Sequence, residues 1–489
     1  MAVQAMKQLG GQDNSFLEIE GTGLAQHIAS VAIYDPSTAP GGEVRFKQIL
    51  AHMESRLHLS SIYRTKLLKV PMGVDRPYLV DDPEVDLEYH IRHIALPKPG
   101  DWRQLCIQIA RINARPLDLS KPLWELYVIE GLDNIDSVPK GSFALLSKIH
   151  HCVMDGASGI EMMAAIHDIS PQGREIEPEG ERLIHAPPSS ARMLTQAYVN
   201  ALRKPRRFYG LAKRMLGLRR DMQRRDEADR TVGAPRQVLT RFNGDISPHR
   251  VLDAISFDFA DIRAIKNSLE GATINDTMLA IVSGALHKYL SSEGELPEET
   301  LTCGCPIDIR DKSERGTGGN VIGFMGVNLC TEIADPLERF KAVHDAAVEA
   351  KAHAQATDVR VNKEIMDTVP GGIMTAAMRV TSAMGINPTP YNTMLTNVPG
   401  PPNQLYFAGA QIVEGYGIGP LVPGAGLFHT ASSSVMNKKG KINLSFWACR
   451  EMLPNPEFYR QCIQESFDEL QAVTVGKQKA TKRKERRAA

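Results

Sequence analysis

Between Ile176 and Arg250 the chain loses the apolar patterning that runs through the rest of its 489 residues. This stretch is polar and proline-containing over 176–190, strongly basic over 203–225, and turn-rich over 230–250. A segment of that composition marks a boundary and leaves two halves of similar size. The expected division is residues 1–175, a linker over 176–250, a second half over 251–475, and a basic tail over 476–489. Within both halves, strand-like and helix-like segments interleave. The strand patterns are Leu87–Ile94, Leu123–Ile129, Phe143–His150, Leu301–Ile309, Val321–Cys330, Thr393–Val398, Gln404–Val413 and Ile442–Cys449. Helical patterns cover Val44–Leu57, Ser158–Ile169, Asn275–Leu290, Pro336–Ala354 and Glu457–Val473. Asn275-Asp-Thr and Asp335-Pro336 supply helix-start signals. Interleaving of this kind predicts an α/β class with covered sheets.

Charge sharpens the picture. Lys plus Arg and Asp plus Glu both number 57, which at face value argues against a nucleic acid or other polyanion as the main partner. The balance is segregated: residues 203–225 carry +9, residues 477–489 carry +6, and the remainder carries −15. The start of the chain has no apolar stretch of signal-peptide length, and runs such as Met278–Val282 fall short of a membrane span. A cytoplasmic protein, or one peripherally associated with a membrane or lipid inclusions and integral to none, is expected. Seven cysteines, irregularly spaced, fit reduced thiols, and Cys303-Gly-Cys305 alone is a weak zinc signal that fits alternating strand positions better.

The chemistry concentrates in Lys148-Ile-His150-His151-Cys-Val-Met-Asp155-Gly156. An apolar strand delivers two adjacent histidines, whose side chains point to opposite sides if both lie on the strand. Asp155-Gly156 then turns the chain into a helix, glycine being free to take a positive φ. An imidazole titrating near neutrality suits removal of a proton from an alcohol or thiol. No G-x-S-x-G elbow is present, so a serine acyl-enzyme is not suggested. A lone base suits an electrophile that is already activated, such as a thioester. Two other readings of the pair are open at this point: structural histidines, and metal ligands with Asp155, the latter disfavoured by the divergence of neighbouring strand positions.

The string His150-His-x-x-x-Asp155-Gly156 resembles the motif of coenzyme A-dependent acyltransferases of the chloramphenicol acetyltransferase fold and of peptide-synthetase condensation domains. Its surroundings narrow the resemblance. Pro122-Leu123-Trp124, Asn275-Asp276, Pro306-Ile-Asp-Ile-Arg310, Gly319-Asn320 and Asn397-Val-Pro-Gly-Pro401 occur in the order seen in bacterial wax ester synthase/acyl-CoA:diacylglycerol acyltransferases. The resemblance implies two similar halves, each a mixed sheet backed by helices, with the active site in a tunnel between them. It implies acyl-CoA as co-substrate, no further cofactor and no metal, and a fatty alcohol or diacylglycerol as acceptor. His151 would be the general base, and His150 would support the strand end or the second tunnel, or share in the site by orientation or catalysis. Asp155 would pair with Arg310 and hold the loop next to Gly156. Asn275 would stabilise the oxyanion or, with Asp276, cap its helix. Pro122, Leu123 and Trp124 would line the acyl channel, or pack in the core.

The basic segment has a stripe of its own. Phe208, Leu211, Met215, Leu218 and Met222 recur at helical spacing, with Arg219, Arg220, Arg224 and Arg225 mostly off that face. Such a helix suits an anionic membrane or lipid-inclusion surface. The phosphates of coenzyme A and the protein's own acidic body are the other two occupants considered. The sequence leaves oligomeric state open. Two further functional classes stand beside the lipid acyltransferase: a non-catalytic lipid-surface protein, and an acyltransferase for a small hydroxylated metabolite.

Overall fold

The computed structural model describes residues 7–20, 23–154, 156–180, 184–202, 238–308, 322–356, 389–436 and 439–476. Asp155, Arg310, Gly319, Asn320 and the arginines of 203–225 lie outside them, as do the expected basic helix and the tail.

The strands are β1 (Lys7–Gln8), β2 (His27–Asp35), β3 (Thr65–Leu68), β4 (Tyr78–Asp81), β5 (Ile91–Ala95), β6 (Trp124–Glu130), β7 (Phe143–His150), β8 (Arg250–Asp258), β9 (Thr302–Asp308), β10 (Ile322–Asn328), β11 (Thr393–Val398), β12 (Tyr406–Phe407), β13 (Ala410–Ile418), β14 (Leu427–Met436) and β15 (Lys439–Cys449). Two six-stranded sheets dominate, in the orders β12-β13-β2-β7-β6-β5 and β10-β9-β11-β14-β15-β8. Both are mixed: β5 runs parallel to β6, and β11 parallel to β9 and β14, among otherwise antiparallel pairs. The three-stranded sheet β1-β4-β3 stands apart. The α/β class with mixed sheets and helices holds.

Every residue of β7 is buried, as expected of a central strand covered on both faces. Ala144 and Leu146 face one way, onto α4 (Trp102–Asn113) and residues of the second sheet such as Leu252 and Trp447. Leu145 and Ile149 face the other, onto α2 (Phe46–Glu54) and α5 (Gly156–Ile166). The second sheet is backed by the Ile274–Ser292, Pro336–Ala356 and Pro456–Gln471 helices around one large core. At the seam, Trp102 Nε1 donates to Asp253 at 2.7 Å and Arg103 pairs with Glu457 at 2.9 Å.

Three patterns resolve differently from their sequence reading. Residues Leu87–His90 form a short helix, α3, because the Asp86 carboxylate accepts from the backbone N–H groups of Glu88 and Tyr89; the strand begins only at Ile91. The Gln404–Val413 pattern is broken by left-handed backbone at Ala408 and Gly409 (φ 49° and 84°), which reverses the chain between β12 and β13. Asn275 does not begin its helix. Thr273 is the cap: its hydroxyl accepts from Asp276 N–H at 3.2 Å, while the Asp276 carboxylate accepts from Thr273 N–H at 2.9 Å. Sheet membership also crosses the linker, since β13 pairs along β2 from Gln411↔Asp35 to Ile418↔Ala29.

Candidate active site

Strand β7 ends at His150, and His151 opens a short 3-10 turn, His151–Val153. The two imidazoles therefore diverge at the strand-to-turn junction, and only His150 lies on the strand. His150 is fully buried. Its Nδ1 accepts from the Cys152 N–H at 3.1 Å, which places the ring proton on Nε2, and Nε2 donates to Glu20 at 3.2 Å. Glu20 ends α1 (Gly11–Glu20) and also accepts from Gln26 N–H at 3.4 Å; the Gln26 carbonyl in turn accepts from His151 N–H at 2.9 Å. His150 is thus a clamp on the turn that carries His151.

His151 is half-buried, with Phe16 of α1 stacked on its ring at 3.9 Å between centroids and 14° between planes. Its Nδ1 is buried. Burial pushes the imidazole down to about 4, with His150 acting in the same direction against a bond to its own backbone. An imidazole held this low is neutral at pH 7.

The neighbouring strands fix this junction. His27 faces His150 across the β2/β7 ladder and donates from Nε2 to the Asn113 carbonyl at 2.5 Å. Burial, and then Lys148, hold His27 down to about 3. Lys148 is buried and donates to the carbonyls of Ile112 and Arg115 at the end of α4 and to Glu125. A cation at a helix C-terminus is favourably placed, and this one locks β7 to α4.

The Pro122–Trp124 segment supports the same junction. Leu123 O accepts from His150 N–H at 3.0 Å, and the Leu123 side chain packs with Cys152. Trp124 is 1% exposed, stacks on His90 at 4.3 Å and donates to Tyr63 O. Pro122 is buried and bridges to Lys66. These contacts put Trp124 in the core of its half. In the other half, Asn275 is partly exposed and its side chain makes no hydrogen bond among the described residues, while Asp276 also bonds His344 at 2.8 Å. Gly156 begins α5, directly after the turn. The turn's partners Phe16 and Glu20 come from a helix whose pattern carries no clear apolar stripe. A lysine inside the apolar run of β7 was the one sequence sign of a buried polar network.

Among the described residues, no cluster of three His, Cys, Asp or Glu is arranged to hold a metal ion, and Cys303 and Cys305 are buried on β9. No helix among them is long and apolar enough to cross a membrane.

The profile of the "Wax ester synthase/diacylglycerol acyltransferase catalytic domain" matches residues 9–278, and that of the "WS/DGAT C-terminal domain" matches residues 318–471. The chain belongs to the wax ester synthase/diacylglycerol acyltransferase family. As a member it is an acyltransferase, and the family's donor is acyl-CoA. A putative diacylglycerol O-acyltransferase of Mycobacterium tuberculosis is 30% identical over 480 residues, 95% of this chain and 92% of the relative. A second M. tuberculosis relative, a probable diacylglycerol O-acyltransferase, is 26% identical over 469 residues, covering 95% and 98%. Among solved structures, the wax ester synthase/diacylglycerol acyltransferase of Marinobacter aquaeolei VT8 superposes with a TM-score of 0.67 at 22% identity, over 96% of this chain and 100% of that one. The first condensation domain of the calcium-dependent antibiotic synthetase superposes at 0.55 with 13% identity, over 97% of both chains. These superpositions establish a shared two-lobed fold.

Proposed function

We propose that this acyltransferase moves a long-chain acyl group from acyl-CoA to the hydroxyl of a fatty alcohol or a diacylglycerol, with His151 as the general base. The observation that carries the assignment of the base is the neutral His151 ring on a turn clamped by His150 and Glu20. The acceptor's O–H proton passes to Nε2 as its oxygen attacks the thioester carbon. The C–S bond then breaks, and the imidazolium returns the proton to the departing thiolate. No covalent acyl-enzyme is needed, because a thioester is already activated. The oxyanion needs a fixed donor, worth about 3–4 kcal/mol. Asn275, uninvolved in the cap of its helix, is the candidate. Both substrates reach the His151 base through a tunnel between the halves.

The enzyme works at an anionic membrane or lipid-inclusion surface, held there by the apolar-striped basic segment with Arg219, Arg220, Arg224 and Arg225. The +9 charge of residues 203–225 against a −15 body supports this attachment. The test is a substrate panel: palmitoyl-CoA or acetyl-CoA, each with hexadecanol, with dipalmitoylglycerol, and with a small hydroxylated compound, the ester product read by mass spectrometry. Product with either lipid acceptor is expected. Turnover only with acetyl-CoA and the small acceptor, or with none, refutes the reading.

A further inference from the structure

A cleft of about 250 Å³ opens at the seam between the two sheets, between the outer face of α4 and the start of β8. Five arginines line it: Arg103 and Arg111 on α4, Arg115 just beyond it, Arg250 at the start of β8, and Arg450 just past β15. His249 completes the basic rim, and no carboxylate is among the lining residues. Arg103 is already engaged by Glu457, and Arg250 donates to the carbonyls of Ser247 and His249. Arg111, Arg115 and Arg450 are exposed and take part in no ion pair among the described residues. Such a concentration of one sign, in a body that is acidic outside its two basic patches, makes a positive potential that attracts an anion. Guanidinium groups match phosphate oxygens in geometry as well as charge, and α4, β8 and the end of β15 all bring them to this cleft.

The position of the cleft adds to its charge. A smaller cavity shares Ala114 and Arg250 with it and is lined further in by His27, Asn113, Leu421 and Trp447, so it too draws on both sheets. His27 is the residue paired with His150 in the β2/β7 ladder, and the preceding Gln26 carbonyl holds the His151 amide. The arginine cleft therefore lies at the same seam as the strand β2 that fixes the histidine turn.

We propose that the cleft formed by Arg103, Arg111, Arg115, Arg250 and Arg450 between α4 and β8 binds the phosphates of the acyl donor's coenzyme A. The proposal rests on the acyl-CoA reading above. It also accounts for the cleft without the 203–225 segment, leaving that segment to the lipid surface.

The test uses the full chain and the triple variant Arg111→Gln/Arg115→Gln/Arg450→Gln, whose three positions are exposed, with thermal unfolding as the control for folding. Calorimetric titration with coenzyme A alone is expected to show binding weakened about ten-fold or more in the variant, the loss of a few charge-assisted bonds. In turnover, KM for palmitoyl-CoA rises by a similar factor while kcat moves little. The preference for palmitoyl-CoA over the palmitoyl thioester of N-acetylcysteamine, which lacks phosphates, collapses. Coenzyme A affinity and KM within about two-fold of the wild type overturn the proposal. So does weakened binding to phosphatidylglycerol vesicles with coenzyme A affinity unchanged, which would assign the cleft to lipid headgroups. If the wild type turns over no acyl-CoA at all, the acyltransferase reading fails separately, and the coenzyme A titration still decides whether the cleft takes these phosphates.

Discussion

Replacing Phe16 with alanine should move the acidic limb of the pH profile. The His151 imidazole sits at about 4 instead of its ordinary 6.5, chiefly through burial. That difference corresponds to about 3 kcal/mol favouring the neutral ring. The stacked Phe16 ring, 3.9 Å away, removes water from one face of the imidazole. Opening that face returns part of the cation's hydration. If a third to a half of the effect is recovered, the pKa rises by about one pH unit. A general base works only when unprotonated, so kcat/KM falls as pH drops through the free-enzyme pKa of His151. The wild type should hold its kcat/KM to near the lower end of the measurable range, and Phe16→Ala should lose half of it near about pH 5. The same linkage acts on stability. Because the folded pKa lies below the unfolded one, the unfolded chain binds the proton first as pH falls. Stability is then lost progressively from about pH 6.5 down through 4, and less steeply in the variant. Free coenzyme A, quantified by chromatography from pH 4 to 8, gives the profile, with Phe16→Leu as a control that keeps an apolar cover. An unchanged acidic limb in a folded Phe16→Ala protein would show that Phe16 does not set the basicity of His151.

Two further substitutions separate support from chemistry. Glu20→Ala leaves the buried His150 N–H without its acceptor, at about 1–3 kcal/mol, and should lower both Tm and kcat, whereas Glu20→Gln keeps an acceptor oxygen and most of both. Wild-type Tm and kcat in Glu20→Ala would refute the clamp. Thr273→Ala removes a helix cap and should cost about 1 kcal/mol of stability with kcat retained. Asn275→Ala should do the reverse, leaving stability within about 0.5 kcal/mol and lowering kcat about 100-fold or more. The opposite pattern in kcat and thermal unfolding would remove Asn275 from the oxyanion.

What the sequence made legible follows from how local each signal is. The strand Phe143–His150 was readable to the residue, because a continuous apolar run ends at a polar pair and a turn. The helices at 274–292, 336–356 and 456–471 were readable from periodicity and local caps. Leu87–His90 misled because the Asp86 cap overrides an alternating pattern, and Asn275 because the true cap sits two residues earlier. The partners of the histidine turn were not legible at all. Phe16 and Glu20 lie some 130 residues upstream of the turn they hold, and nothing in their own neighbourhood marks them. Likewise β13 joins the sheet of β2 across nearly the whole chain, a pairing that only tertiary packing selects. The arginine cleft escaped for the same reason: its residues are scattered over two halves, whereas the basic run at 203–225 is contiguous and drew the attention of a segment count.

The proposed role of His151 is to take the acceptor's proton. The direct measurement is coenzyme A release from palmitoyl-CoA and hexadecanol by His151→Ala, with thermal unfolding confirming the fold. Turnover reduced by at least about 100-fold, with the protein folded, is the expected result. Turnover near that of the wild type would contradict it.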